Sequence, residues 1–406
     1  MISSLPCHIL YAVVVGVLFL LVPGVRSHAS LIMPLSRNSV DILDPQYKNG
    51  SRPSTGWIEP YSCSCTNGTE SSCDNAQSCF WFSQGCTPGC PACDGNGSRV
   101  PNFDHCPGKS FSPEKNPEVF ICDPKYRTGN RNATCGSYED YTKFNPWRSP
   151  GNAPVFDACG KAGGVDEEAF NAGAYRTTTF AKQGDLGSEV LGQFPTGTVW
   201  TRGQEAKTRW QQTAAHGGGY QYRLCPIEEF SATDGIANEA CFQRLPLRFK
   251  TPARHTVRFA NKSEDFTFDA IVIPEGNPGA GWTLMPLPYN TDAACDYVVD
   301  GVVGDGPGKH CSWSCPGCNG QPDPITGQPT YAADGACPTS CARYPGLPSK
   351  NTYPDPVEGH DPHSYAIEDT ILVPENIPPG EYVLGWRWDC EFTSQVWTNC
   401  ADITVI

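Results

Sequence analysis

The residues with the most distinctive chemistry are two histidines. An apolar run over residues 9–22 is too short to span a membrane, and small residues follow at Val25 and Ser27. This pattern predicts a signal peptide over residues 1–27, so that cleavage after Ser27 makes His28 the first residue of the mature chain. A terminal histidine can chelate, because its α-amine and its imidazole offer two nitrogens to one metal ion. A third nitrogen from a second histidine gives a planar, all-nitrogen set. That set suits Cu(II), which heads the divalent affinity order, and it leaves a position open for oxygen while copper cycles between its two oxidation states.

Six other histidines remain after cleavage: His105, His216, His255, His310, His360 and His363. Most fall in Cys-rich or Pro-rich stretches. His216 stands apart because it closes an expected strand and precedes Gly217, Gly218 and Gly219, where missing side chains allow a close approach of backbone or substrate. Read alone, it is either a turn residue or a ligand. Other groupings point elsewhere. Cys90/Cys93 and Cys315/Cys318 have zinc-like spacing, but in a Cys-rich secreted chain they read as disulfide partners. His360 and His363 lie in a Pro-rich loop. The carboxylates of Glu167/Glu168 and Glu228/Glu229 are sequence neighbours whose side chains diverge, whereas glycosidase chemistry needs a pair held across a sugar. No G-x-S-x-G nucleophile motif is present.

The elements that must position these residues are β-strands in a loop-rich chain. Gly and Pro supply 79 of 406 residues, too many for a helical protein. The mature chain holds 21 cysteines, which predicts an oxidising compartment and several disulfides, with at least one cysteine free, paired with another chain or otherwise used. Sites for N-glycosylation at Asn49, Asn67, Asn96, Asn132 and Asn261 agree with an extracellular, secreted protein. The net charge of −14, or −15 once Arg26 leaves with the signal, argues against nucleic acid or an anionic membrane as partner. It also weighs mildly against a strongly anionic polymer.

Along the chain, residues 28–60 read as an irregular start, and residues 61–160, with eleven cysteines, as loops held by disulfides rather than by a core. Strand patterns appear at residues 198–200, 208–213, 220–225, 256–260, 266–274, 381–389 and 401–406. The best short helix signal is residues 166–172, and residues 290–362 form a second Cys/Gly/Pro-rich insertion. The expectation is an all-β, immunoglobulin/fibronectin-like antiparallel β-sandwich in one domain, residues 28–406, interrupted by disulfide-rich insertions.

Three motifs, in this order, carry a resemblance to a known family. They are His28-Ala-Ser-Leu-Ile-Met-Pro-Leu-Ser-Arg37, Thr213-Ala-Ala-His-Gly-Gly-Gly-Tyr-Gln-Tyr-Arg-Leu-Cys225, and Gly385-Trp-Arg-Trp-Asp389 with Gln395-Val-Trp-Thr-Asn-Cys-Ala-Asp-Ile403. Together they resemble lytic polysaccharide monooxygenases, closest to the chitin-binding type-4 group with its arthropod and oomycete members. The resemblance implies that His28 and His216 form a histidine brace around one copper ion. It implies an external electron donor, small molecule or protein, with O2 or H2O2 as co-substrate, and oxidation at C1 or C4 of a polymeric carbohydrate. Chitin and cellulose are the implied substrates, with pectin added by the oomycete relatives. The axial position falls on Trp397 where the family has Tyr or Phe, or a tyrosine such as Tyr222 takes that place. Gln395, two residues earlier on the same strand face, would hydrogen-bond oxygen at the metal.

Arg37 and Asp402 read as structural, and Trp386 and Trp388 as core residues or parts of an aromatic electron path. Trp57, Tyr61, Phe80, Trp81 and Trp313 are candidates for exposed sugar contacts. The protein is expected to act as a monomer. The alternatives are a non-catalytic carbohydrate-binding (chitin-binding) protein and a copper-binding protein on the same fold.

Overall fold

The computed structural model describes residues 28–43, 78–84, 112–113, 115–127, 133–137, 140, 142–166, 175, 177–194, 196–214, 216–259, 266–286, 365–391 and 393–406. In chain order the strands are β1 (His28–Met33), β2 (Trp81–Gln84), β3 (Lys161–Ala162), β4 (Val199–Trp200), β5 (Glu205–Ala214), β6 (Gly219–Pro226) and β7 (Arg248–Phe249). They continue with β8 (Arg254–Phe259), β9 (Phe266–Asp269), β10 (Thr283–Leu284), β11 (Tyr365–Leu372), β12 (Gly380–Asp389) and β13 (Gln395–Val405). Among the described residues two α-helices accompany them, the single turn α1 (Gly187–Val190) and α2 (Gly235–Arg244).

The strands form two sheets. One runs β1-β5-β11-β8-β9 with β7 also on β11, and the other runs β10-β6-β12-β13-β2-β3. These ladders are antiparallel, and β4 joins β13 in parallel. The expected all-β sandwich is therefore present. Its core lies between the sheets and is rich in aromatics: Trp210, Tyr220, Tyr222, Trp386, Trp388 and Trp397 are all fully buried.

β12 shows how the sequence builds this. Tyr382, Leu384, Trp386 and Trp388 alternate along one face and enter the core, as period-two geometry requires. The other face is buried too. There Gly385 lies so close under the Phe242 ring of α2 that a Cβ would be 2.9 Å from it. Val383 packs with Phe242 beside the Cys159–Cys400 and Cys225–Cys241 disulfides. Trp386 and Trp388 are thus core residues, as expected.

Three expectations need correction. Residues 28–60 do not start irregularly, because β1 pairs with β5 and a 3-10 turn follows over Arg37–Leu43. The partner of β1 is so remote in sequence that local pattern could not reveal the strand. Residues 61–160 are not only disulfide loops. Cys122–Cys135 and Cys159–Cys400 do staple this stretch, yet β2 is a strand on β13, and Phe80, Trp81 and Phe82 are buried. Phe80 and Trp81 are consequently inside the molecule and not on a sugar-facing surface. The strand expected over residues 266–274 stops at Asp269. The helix signal at 167–172, the insertion at 290–362 and Trp57, Tyr61, Trp313, His360 and His363 lie outside the described residues. Among the described residues no helix is long and apolar enough to cross a membrane.

Candidate functional site

His28 is the first residue of β1, and its Cα partner across the ladder is Ala214 near the end of β5. His216 follows two residues later, at the point where the chain leaves one sheet for the other. The register thus brings the two histidines named by the sequence to one end of one strand pair, although 188 positions separate them. A register irregularity sits between His28 and Ala29. Such bulges re-aim side chains at sheet edges and beside functional sites.

His216 is 2% exposed. The crossover that carries it is held by three successive carbonyls, each accepting from a different group. The Glu391 amide donates to the His216 carbonyl at 3.1 Å, the Trp388 indole Nε1–H to that of Gly217 at 2.8 Å, and the Met285 amide to that of Gly218 at 2.8 Å. Gly217 and Gly218 adopt φ of 59° and 81°, the left-handed region that glycine enters without cost. A side chain at Gly218 would also collide with the Asp389 carbonyl oxygen. The glycines flagged by the sequence therefore serve a close backbone approach.

The Trp388 ring lies 6.5 Å from that of His216 between centroids, tilted by 50°. Trp397 stands one ring further. It is fully buried, stacked on Trp388 at 6.2 Å and on Phe82 at 4.3 Å. Gln395 opens β13 opposite Gln84, is 8% exposed, and accepts at Oε1 from the Thr393 hydroxyl at 3.1 Å. Tyr222, the other candidate for the axial face, donates its phenol to Asp369 at 2.7 Å inside the sandwich. Tyr220 donates to the same carboxylate at 2.8 Å, and His255 Nδ1 lies 2.7 Å from its other oxygen. Burial, with the Asp369 charge beside them, raises both phenol pKa values well above the usual tyrosine value.

Arg37 and Asp402 form a buried bidentate pair, Nε to Oδ2 at 2.9 Å and Nη2 to Oδ1 at 2.5 Å. The Leu31 amide donates to Asn399 Oδ1 at 2.8 Å. Both contacts tie the segment after His28 to β13, which fits the structural reading of Arg37 and Asp402.

The outer face of β12 carries a network that sequence reasoning missed. Arg387 donates to Asp389 Oδ1 at 2.6 Å, to Glu239 Oε1 at 2.7 Å and to the Ala153 carbonyl at 2.7 Å. Arg223 shares Glu239 at 2.5 Å, and Asp389 Oδ2 accepts from the Gly151 amide at 2.8 Å. Burial disfavours charge here, but the neighbouring arginines outweigh it and hold the Glu239 carboxyl below its usual range. Alternation along β12 placed Arg387 and Asp389 opposite the tryptophans, but α2 as their cover left no local signal.

These residue types would suit a metal that accepts neutral nitrogen, with an imidazole at His216 and, were His28 the terminus, an amine and an imidazole there. Among the described residues no group of three or more His, Cys, Asp or Glu side chains is placed to hold a metal ion.

No protein-family model matches the chain, and no curated protein matches it. Among solved structures it is similar to an AA10 lytic polysaccharide monooxygenase from Streptomyces lividans, at 12% identity over 51% of this chain and 58% of that one, with a TM-score of 0.20. It is also similar to a family 123 glycoside hydrolase from Clostridium perfringens, at 8% identity over 52% of this chain and 23% of that one, TM-score 0.17. A third is a chitin binding domain from Burkholderia pseudomallei, at 10% identity over 94% of this chain and all of that one, TM-score 0.22.

Proposed function

We propose that the protein is a secreted, copper-dependent monooxygenase that cleaves glycosidic bonds of a structural polysaccharide oxidatively. The observation that supports this reading is the β1–β5 register, which pairs the His28 backbone with Ala214, two residues before His216 in the chain. His28 and His216 would hold the metal through three nitrogens. Bound there, copper supplies one-electron redox chemistry toward O2 or H2O2, fed by an external reductant.

The rest is the work of the chain. Cleavage after Ser27 creates the amine at His28, so processing and ligand formation are one event. The glycine crossover and its three carbonyl bonds hold His216 in place. Burial at His216 keeps its ring out of bulk water. Gln395 offers an amide near the start of β13 for hydrogen bonding.

The test is to load the secreted protein with Cu(II), add a reductant, and present chitin, cellulose and pectin. Oxidised oligosaccharides are the expected product, and His28→Ala should abolish them while secretion persists. Polymer binding without products would instead support a non-catalytic carbohydrate-binding protein. Metal binding with neither would leave a copper-binding protein. N-terminal sequencing that begins anywhere but His28 would remove the site itself.

A further inference from the structure

We propose that Trp388 is the positioning residue of His216, acting through the Gly217 carbonyl, and that this role is separate from its packing in the core. The inference rests on the copper reading of His216 and adds a device that fixes that ligand.

Two tryptophans on one strand make the distinction. Trp386 and Trp388 are both fully buried, both point into the sandwich, and their ring centroids are 6.4 Å apart. Their indole N–H groups differ. Trp388 Nε1 donates to the Gly217 carbonyl at 2.8 Å, while Trp386 Nε1 has no acceptor among the described residues. Packing alone would not require that bond. A buried indole N–H is costly to strand, so where a partner is found the bond constrains both sides.

The constrained side is the Gly217–Gly218 peptide, one residue beyond His216. Its carbonyl is gripped by an indole that is itself wedged against Trp397 at 6.2 Å, and the same indole lies 6.5 Å from the His216 ring. The backbone of Gly217 and the ring of His216 thus both face one rigid bicycle. Trp388 also stands one residue before Asp389, whose carbonyl blocks any side chain at Gly218, and three before Glu391, whose amide holds the His216 carbonyl at 3.1 Å. The end of β12 therefore acts as a template for the crossover. Groups that hydrogen-bond a ligating histidine directly are worth about 10–100-fold in metal affinity, and a grip on the next residue is expected at the lower end of that range.

The experiment compares Trp388→Phe with Trp386→Phe in the processed protein. Cu(II) binding is measured by calorimetry, the Cu(II) EPR spectrum is recorded, and amide hydrogen exchange is followed over residues 211–222 without metal. Trp388→Phe should weaken Cu(II) binding about tenfold, change the EPR hyperfine splitting and speed exchange in the crossover. Trp386→Phe should do none of these, although it too thins the core. If Trp388→Phe does not fold, 3-(3-benzothienyl)alanine at position 388 keeps the bicycle and replaces N–H by sulfur, and the same shifts are expected. Equal behaviour of the two positions overturns the proposal, and so does faster exchange with an unchanged EPR spectrum. Should the wild-type protein bind no Cu(II), the functional reading fails, and the positioning of a copper ligand fails with it. The exchange comparison then still reports whether the indole bond holds the crossover.

Discussion

At the scale of single residues, the crossover after His216 depends on atoms that are absent. Gly218 combines a φ of 81° with a carbonyl oxygen, that of Asp389, in the space a Cβ would need. Gly276 has a similar φ of 84° but nothing within 4 Å of where a Cβ would go. Replacing either with alanine incurs the left-handed strain of about 1–2 kcal/mol, and only Gly218 adds the clash. Gly218→Ala is therefore expected to destabilise by about 3 kcal/mol or more, against about 1 kcal/mol for Gly276→Ala. Urea unfolding of the two variants checks the difference. Copper binding should fall in the first variant alone.

At the scale of elements, α2 is the cover on which the outer face of β12 relies. Asp234 caps it by accepting from the Ala237 amide at 2.8 Å, and Glu239 from its second turn enters the arginine network. Asp234→Ala should cost about 1 kcal/mol and Asp234→Asn much less, as read from thermal unfolding. Glu239→Ala should cost more, about 3–5 kcal/mol, because it leaves Arg223 and Arg387 buried with less countercharge. Legibility in the sequence follows the same division between local and remote. The strands around residues 208–213, 220–225 and 381–389 were readable because alternation is local, and Trp386 and Trp388 were readable as core for that reason. β1 was not, since its partner β5 begins at Glu205. α2 was hidden because α2 buries polar Asn238 and Glu239 beside apolar Cys241 and Phe242, which blurs an apolar stripe. His28 and His216 were named from motif and resemblance. Trp388 as the ring beside His216 required the structure, since nothing in spacing sets it ahead of Trp397.

At the scale of the whole molecule, two carboxylates oppose each other in acid. Burial pushes Asp157 up to about 6 from an ordinary 3.8, despite hydrogen bonds from Ser188 and Cys159. Its protonation favours the folded state, so stability should rise as pH falls from about 6 towards 4. Glu368 behaves in the other sense. Burial would raise it, but hydrogen bonds from Arg258, Lys207 and Arg209 outweigh that and hold it at about 2, below the ordinary 4.5. Its contribution is complete above about 4.5 and is lost as pH falls towards 2. Melting temperature against pH should therefore peak between these windows, with Asp157→Asn flattening the limb above pH 4 and Glu368→Gln the limb below. The Cys159–Cys400 bond has a consequence of another kind. It joins positions 241 residues apart, and residues 287–364 fall within that span. A single protease cut there would sever the polypeptide without separating the molecule. His28 and His216 would sit on one fragment and Trp388 with Gln395 on the other, joined through Cys159–Cys400. Such a nicked protein should run as one band without reductant and as two with it, so an apparently intact preparation is best judged by its reduced mass.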